Sequence, residues 1–113
     1  MVLPTSLKHV ASHDEHAKVI SENENVMVCC GRMGPMCIPV YDIMDELQDE
    51  YTNIEFRDML FDNPEADVIR NLPEAASFMG LPFNIYYKNG EVVAATSSIQ
   101  SREQITEILD RVF

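Results

Sequence analysis

Residues 79–95 read MGLPFNIYYKNGEVVAA, and this stretch carries the clearest structural signal in the chain. Two largely apolar runs, Phe83 to Tyr87 and Glu91 to Ala95, flank the segment Lys88-Asn89-Gly90. Asn-Gly suits a tight two-residue turn because both residues tolerate positive backbone φ angles, so the stretch predicts a β-hairpin. A proline, Pro82, stands directly before the first strand of this hairpin.

Upstream of the hairpin, apolar strand-like runs alternate with segments of helical periodicity. Strands are predicted at residues 7–11, 25–30, 54–59, 83–87 and 91–95, and helices at residues 13–22, 37–51, 65–71, 74–78 and 101–112. Strands separated by helices pair in parallel, whereas the terminal hairpin adds an antiparallel edge. The sequence therefore predicts an α/β fold in the order β-α-β-α-β-α-β-β-α, with a central mixed sheet of four to five strands flanked by helices.

Composition restricts the function further. The 113 residues suit one domain spanning 1–113, because neither a repeat nor a linker divides them. The net charge of −11, from 19 acidic and 8 basic residues, disfavours nucleic acid and anionic lipid as partners. No apolar run reaches the ~20 residues of a membrane helix, and no secretory signal is visible. We therefore expect a cytoplasmic monomer.

Three cysteines, Cys29, Cys30 and Cys37, stand close together in the chain. Their odd number and the lack of a visible signal peptide argue against a secreted disulfide framework. The cluster is either a reactive site or coincident core filling. Because neighbouring residues of a strand point to opposite faces, one of Cys29 and Cys30 should be buried and inert, while the other faces Cys37.

Three strings resemble the thioredoxin family over residues 7–113. These strings are the Gly-Leu-Pro segment with its Lys-Asn-Gly hairpin, the acidic helix end at residues 45–51, and Gly34-Pro35. The resemblance implies a thioredoxin-like fold in which Pro82 follows a cis peptide bond and faces the active site. It also implies that the backbone at Leu81 pairs with an extended substrate peptide.

The chain departs from this family at its active site. Thioredoxins carry Cys-Gly-Pro-Cys at a helix N-terminus, where the helix dipole and free N–H groups stabilise a thiolate. Residues 30–37 here read CGRMGPMC. Alignment without gaps places Cys37 on the second, resolving cysteine and Gly34 on the nucleophile, whereas matching Gly-Pro places Met33 and Met36 on the two cysteines. We prefer the first register because it needs no insertion.

Two further positions depart from the family. Val28 stands where thioredoxins usually keep a buried aspartate that moves protons for the thiols, and Ser98 stands where they usually have a glycine beside the site. Both changes weaken the case for ordinary thioredoxin activity.

The first functional hypothesis is thiol–disulfide exchange on protein disulfides without a cofactor. Cys37 would be the reactive thiol and Cys30 its partner, with Arg32 adding positive potential that favours the thiolate. The partner is a protein with a disulfide or an extended peptide, and a thioredoxin reductase is a candidate electron donor. The expected contact residues for the substrate are Met33, Gly34, Pro35, Met36, Leu81 and Pro82.

Two other hypotheses stay open. A redox-inactive module could hold an extended peptide beside Pro82 by backbone hydrogen bonds, with Met33, Met36 and Met79 as an adaptable apolar lining. The other hypothesis is Cu(I) binding by Met33, Met36 and Cys37, because thioether and thiolate ligands suit soft metals. The low number of cysteines disfavours zinc and iron–sulfur sites.

Overall fold

The computed structural model of the protein describes residues 2–113. In chain order the elements are β1 Lys8–His9, α1 His13–Glu22, β2 Asn25–Gly31, α2 Ile38–Leu47, β3 Glu55–Leu60, α3 Asp67–Arg70, β4 Phe83–Lys88, β5 Glu91–Ser97 and α4 Arg102–Val112. Two short 3₁₀ turns, Pro64–Ala66 and Pro73–Ala75, flank α3. Each of these turns begins at a proline, which suits the first turn of a helix because proline lacks an N–H.

The five strands form one mixed sheet in the order β1-β3-β2-β4-β5. β3 pairs in parallel with both β1 and β2, while β4 pairs antiparallel with β2 and β5. The hairpin turn between β4 and β5 has positive φ at Asn89 (52°) and Gly90 (81°), as a tight Asn-Gly turn requires. The predicted element order and fold class are confirmed.

Two helices begin directly after serine caps. The Ser12 hydroxyl accepts a hydrogen bond from the N–H of Glu15, and Ser101 forms a reciprocal capping box with Gln104. α2 is shorter than predicted, since it ends at Leu47 and gives way to turns. Asp49 and Glu50 follow this end, and their negative charges are repelled by the negative end of the helix dipole, which disfavours a longer α2.

The core has two layers, one on each face of the sheet, and β2 is buried along its whole length. Met27 and Cys29 pack with α2 and α4, whereas Val26, Val28 and Cys30 pack on the face that carries α1 and α3. This alternation follows from the two-residue period of a strand. No helix within residues 2–113 is long and apolar enough to cross a membrane.

Candidate functional site

Cys37 and Pro82 meet above Gly31, the last residue of β2. A Cβ atom added to Gly31 would lie 2.8 Å from the Cys37 Sγ and 3.1 Å from the Pro82 Cβ. The Leu81–Pro82 peptide bond is cis, which confirms the prediction from the sequence. The residue without a side chain at the end of β2 therefore leaves room for a thiol beside a prolyl ring.

The Cys37 thiol is held from the side of β2 and not by the amides of α2. Cys37 is only 3% exposed, and its Sγ accepts a hydrogen bond from the Arg32 N–H at 3.5 Å. The N–H groups of Cys37 and Ile38 both donate to the Gly34 carbonyl, at 3.1 and 3.0 Å. The family-based expectation of free helix amides around the thiol is therefore wrong here, because a turn at Gly34 already uses them.

Tyr41 closes the inner side of this thiol pocket. Its hydroxyl donates to the Arg32 carbonyl at 3.0 Å and would lie 2.8 Å from a Cβ on Gly31. Burial raises the pKa of Tyr41 far above its ordinary range, so the phenol stays protonated and acts as a donor. Tyr41 thus fixes the end of β2 against α2.

Arg32 does not supply the free positive charge that the sequence suggested. Its guanidinium makes two hydrogen bonds of 2.8 Å to Asp62, and its Cζ lies 5.1 Å from the centre of the Phe61 ring. The hydrogen bond from Arg32 lowers the pKa of Asp62, so this carboxylate stays ionised and balances the arginine. The pair anchors the loop after β2.

Most of the predicted substrate-contact residues gather around one shallow depression. Its volume is about 290 Å³, and Gly34, Pro35, Met36, Cys37 and Leu81 line it together with Arg32. The Met33 and Met36 side chains are 45% and 43% exposed, although Met33 lines a neighbouring depression. Pro82 is buried beneath this surface. The surface over the thiol is therefore largely apolar and open.

The structure does not bring Cys30 to Cys37. Cys30 packs with Val26 and Val28 on the opposite face of the sheet, and burial raises its pKa to about 12. All three cysteines are free and buried. The predicted Cys30–Cys37 partnership is therefore wrong. Side chains alternate between the two faces of a strand, and Gly31 faces Cys37, so the cysteine on the same face is Cys29.

A row of polar side chains crosses all five strands beneath this site. Residues directly opposite one another in the sheet run in the order His9, Asp58, Cys29, Asn84 and Thr96. The His9 Nδ1 lies 2.6 Å from an Asp58 carboxylate oxygen, and the Asn84 amide donates to the Thr96 hydroxyl at 3.2 Å. Asp58, Cys29 and Asn84 are fully buried, so three strands contribute polar groups to the middle of the core.

Sequence reasoning missed Asp58 and Asn84. The only available signal was the position of Asp58 and Asn84 inside two predicted strands, and that signal does not reveal which strands lie side by side. Thr5 also donates a short hydrogen bond to Asp58, which fixes the carboxylate between Thr5 and His9. Burial nevertheless raises the pKa of Asp58, because these hydrogen bonds offset only part of the desolvation.

Asp58→Asn is expected to alter how stability depends on pH. Because the pKa of Asp58 is higher in the folded than in the unfolded chain, its contribution to stability is largest below about pH 4. That contribution falls as the pH rises through the folded pKa. The wild-type free energy of unfolding, minus that of the variant, should therefore decrease from about pH 4 upward in urea titrations. A flat or rising difference would contradict the assignment.

Ser98 adopts a conformation that favours glycine. Its φ is 71°, and its N–H donates to the Pro82 carbonyl at 3.0 Å. A left-handed backbone at this position accounts for the glycine that the thioredoxin family usually has there. The hydrogen bond ties the end of β5 to the prolyl segment of the site.

Metal ligands of the common hard and borderline types do not cluster here. Within residues 2–113, no group of three or more His, Cys, Asp or Glu side chains is arranged to hold an ion. Of the three residues suggested for Cu(I), Met33 and Met36 are exposed while Cys37 is buried.

Comparison with solved structures identifies the fold. The thioredoxin of Plasmodium falciparum is 23% identical, with 95% of this chain and 100% of that one covered, at a TM-score of 0.73. The mitochondrial thioredoxin 3 of Saccharomyces cerevisiae is 15% identical, covers 95% and 96%, and gives a TM-score of 0.78. The Fasciola hepatica thioredoxin is 18% identical, covers 93% and 98%, and gives 0.77. No family model and no curated protein sequence matches the chain.

These likenesses define the class of protein: the chain has the thioredoxin fold over nearly its whole length. Within that fold, this molecule keeps the cis-proline and a thiol beside it, at Cys37, but has glycine and methionines in the exposed part of the loop.

Proposed function

We propose that this protein carries out thiol–disulfide exchange with a disulfide in an extended segment of a partner protein, and that Cys37 is the attacking thiol. The observation that carries the proposal is that the Cys37 Sγ and the Pro82 Cβ lie 2.8 and 3.1 Å from the place that a Cβ on Gly31 would occupy, so the thiol and the prolyl ring lie side by side over Gly31. The Arg32 N–H, which donates to the Cys37 Sγ at 3.5 Å, holds this sulfur in place beneath the apolar depression. A thioredoxin reductase is a candidate source of electrons.

The chemical step balances within the two proteins. Cys37 loses its proton, and its thiolate attacks one sulfur of the partner disulfide. The partner S–S bond breaks as a bond between Cys37 and that sulfur forms. The other partner sulfur leaves as a thiolate and takes up a proton. The product is a mixed disulfide between Cys37 and the partner.

Leu81 offers a backbone edge for the extended segment. The pairing of β4 with β5 begins at Phe83, and among residues 2–113 no backbone partner occupies the N–H or C=O of Leu81. An added strand could therefore pair with Leu81 while its side chains lie on the apolar depression. The segment would approach Cys37 between Leu81 and Gly34, where an added Cβ on Gly34 has no heavy atom within 4 Å.

A second candidate function is peptide binding without chemistry. The observation that favours it is the burial of all three cysteines, together with glycine at the position where the ungapped register expects the exposed nucleophile. Incubation of reduced protein with glutathione disulfide separates the two functions. Exchange predicts the loss of titratable thiols and the release of glutathione. Three free thiols after incubation would leave only the binding function.

Met36→Gln is expected to weaken peptide binding about fivefold. Met36 lines the depression and is 43% exposed. A bound apolar side chain would remove this exposed part of the methionine from water, which contributes roughly 1 kcal/mol to the free energy of binding. Carboxymethylated insulin B chain, which has no free thiol, is a suitable probe for fluorescence titration.

Met79→Gln is the matched control for this titration. Met79 is 98% exposed and does not line the depression. Its replacement should leave the dissociation constant within about twofold of wild type, because a fully solvated side chain outside the depression neither contacts the peptide nor supports the fold. Equal losses in both variants would contradict a role for the depression.

A further inference from the structure

We infer that Cys29 is the resolving thiol, which attacks the mixed disulfide on Cys37 and closes an internal Cys29–Cys37 disulfide while Asp58 accepts its proton. This inference rests on the proposed function, since it needs Cys37 to react first. It assigns a role to a buried cysteine that the sequence left as inert core filling.

The first observation is that Cys29 and Cys37 belong to the same side of the sheet. Both pack in the cluster that α2 and α4 form on the sheet, whereas Cys30 packs in the opposite cluster. A Cβ atom added to Gly31 would lie 2.8 Å from the Cys37 Sγ, so Gly31 faces this thiol. Cys29 precedes Gly31 by two residues and therefore lies on the same face of the strand. Residues i and i+2 of a strand are ~7 Å apart, so Cys29 is the next side chain along from the thiol pocket.

The second observation is the polar environment that two neighbouring strands give Cys29. Asp58 on β3 and Asn84 on β4 are its direct partners in the sheet, and both are fully buried. The Asn84 side-chain oxygen is buried without a hydrogen-bond partner among the described residues. A purely structural cysteine needs no such neighbours. A thiol that changes its protonation state benefits from an acceptor on each side.

The third observation is a route for the proton. Asp58 is buried, but the His9 ring that contacts it at 2.6 Å belongs to a side chain that is 27% exposed. A proton taken by the Asp58 carboxylate can therefore pass to His9 and to solvent. Burial raises the pKa of the Cys29 thiol well above its ordinary value, and the neighbouring Cys37 sulfur raises this pKa further. An internal acceptor is therefore needed for Cys29 to react.

The polar and titratable groups around Cys29 come from the strands and from α2, since α4 packs on this cluster with apolar side chains. They are Asp58 on β3, Asn84 and Tyr86 on β4, Cys37 and Tyr41 at α2, with His9 on β1 and Thr5 behind the carboxylate. Burial raises the pKa values of both tyrosines, so these phenols stay neutral. Asp58 is the one carboxylate among these named groups.

The resolving step needs no further oxidant. The Cys29 thiolate attacks the Cys37 Sγ, and the bond from Cys37 to the partner sulfur breaks. The partner leaves as a thiolate and takes up a proton. Cys29 and Cys37 together lose two electrons, and the original partner disulfide gains them, so the partner ends as two thiols.

The test compares reduced wild type with Cys29→Ala and Cys30→Ala. These two cysteines are adjacent and equally buried, so they form a matched pair of substitutions on opposite faces. Each protein is mixed with one equivalent of glutathione disulfide and quenched with acid at intervals, and its intact mass is measured by mass spectrometry. Cys29→Ser serves as a second variant if the alanine variant fails to fold, and circular dichroism checks the folding of each.

Wild type and Cys30→Ala should pass quickly through the glutathione adduct to an internal disulfide. Tryptic digestion should then show the fragment Val19–Arg32 linked to the fragment Met33–Arg57. The Cys29 variants should keep the adduct at least about tenfold longer, because no second thiol reaches it.

Two other results are decisive in the opposite direction. A lasting adduct in wild type, or a lasting adduct in Cys30→Ala with closure in Cys29→Ala, would overturn the role of Cys29 and leave exchange at Cys37 intact. The absence of an adduct from all proteins would overturn both this inference and the proposed function.

Discussion

Cys37→Ala is expected to lower the rate of disulfide exchange by at least about 100-fold, to the uncatalysed background. The substitution removes the thiol that lies beside Pro82, and no other cysteine of the chain reaches this surface. Because the attacking thiolate forms the new bond itself, its loss leaves no partial reaction. Reduction of insulin with dithiothreitol as the electron source measures the effect.

Cys30→Ala is the control for this loss. Cys30 is as buried as Cys37 but packs on the other face of the sheet, so its removal should change the rate by less than about twofold unless the fold is damaged. Carboxymethylated insulin B chain should still bind to Cys37→Ala, because the depression and the Leu81 edge persist. A Cys37→Ala protein that keeps half of the wild-type rate would refute Cys37 as the attacking group.

Gly31→Ala is expected to destabilise the protein by about 1–3 kcal/mol and to slow exchange at the same time. The new methyl group would lie 2.8 Å from both the Cys37 Sγ and the Tyr41 hydroxyl oxygen, and 3.1 Å from the rigid Pro82 ring. All three groups are held in the core, so one of them must shift. Urea unfolding measures the destabilisation, and the insulin assay measures the displacement of the thiol.

Gly34→Ala provides the comparison, since it adds the same methyl group to the same loop. An added Cβ at Gly34 meets no heavy atom within 4 Å, so the free energy of unfolding should change by less than about 0.5 kcal/mol. If Gly31→Ala and Gly34→Ala had equal effects on stability, the close contact of thiol, phenol and proline over Gly31 would be refuted.

The fold was predictable because its strongest signals are local. The Asn89-Gly90 turn and the Gly-Leu-Pro string each act within a few residues, and each has the predicted conformation. Serine caps likewise fix the starts of two helices through local hydrogen bonds. The alternation of strands and helices then restricts the topology to a mixed sheet. α2 was predicted to run to residue 51 but ends at Leu47, and the acidic residues that follow oppose the helix dipole.

The candidate site was predictable only in part. Cys37, Leu81 and Pro82 were identified from their place along the chain, but the choice between Cys29 and Cys30 depended on which strand face α2 covers. Periodicity states that the two cysteines point in opposite directions and leaves open which direction is which. Only the packing of α2 over Gly31 decides this question.

Contacts between distant segments were beyond the reach of the sequence. The row from His9 to Thr96 depends on the register of four strand pairs, and a shift of one residue in any pair would break it. The pairing of Arg32 with Asp62 likewise joins two loops that are 30 residues apart. The positions of Asp58 and Asn84 inside predicted strands were the only local sign of this buried polar row.

The most direct test of Cys37 as the attacking thiol is to locate the first covalent bond to a substrate. Reduced wild-type protein would be mixed briefly with a disulfide-linked peptide, quenched with acid and digested with trypsin, which cuts after Arg32. We predict that the substrate peptide is attached to the fragment Met33–Arg57, which holds Cys37. Attachment to the fragment Val19–Arg32, which holds Cys29 and Cys30, would contradict it.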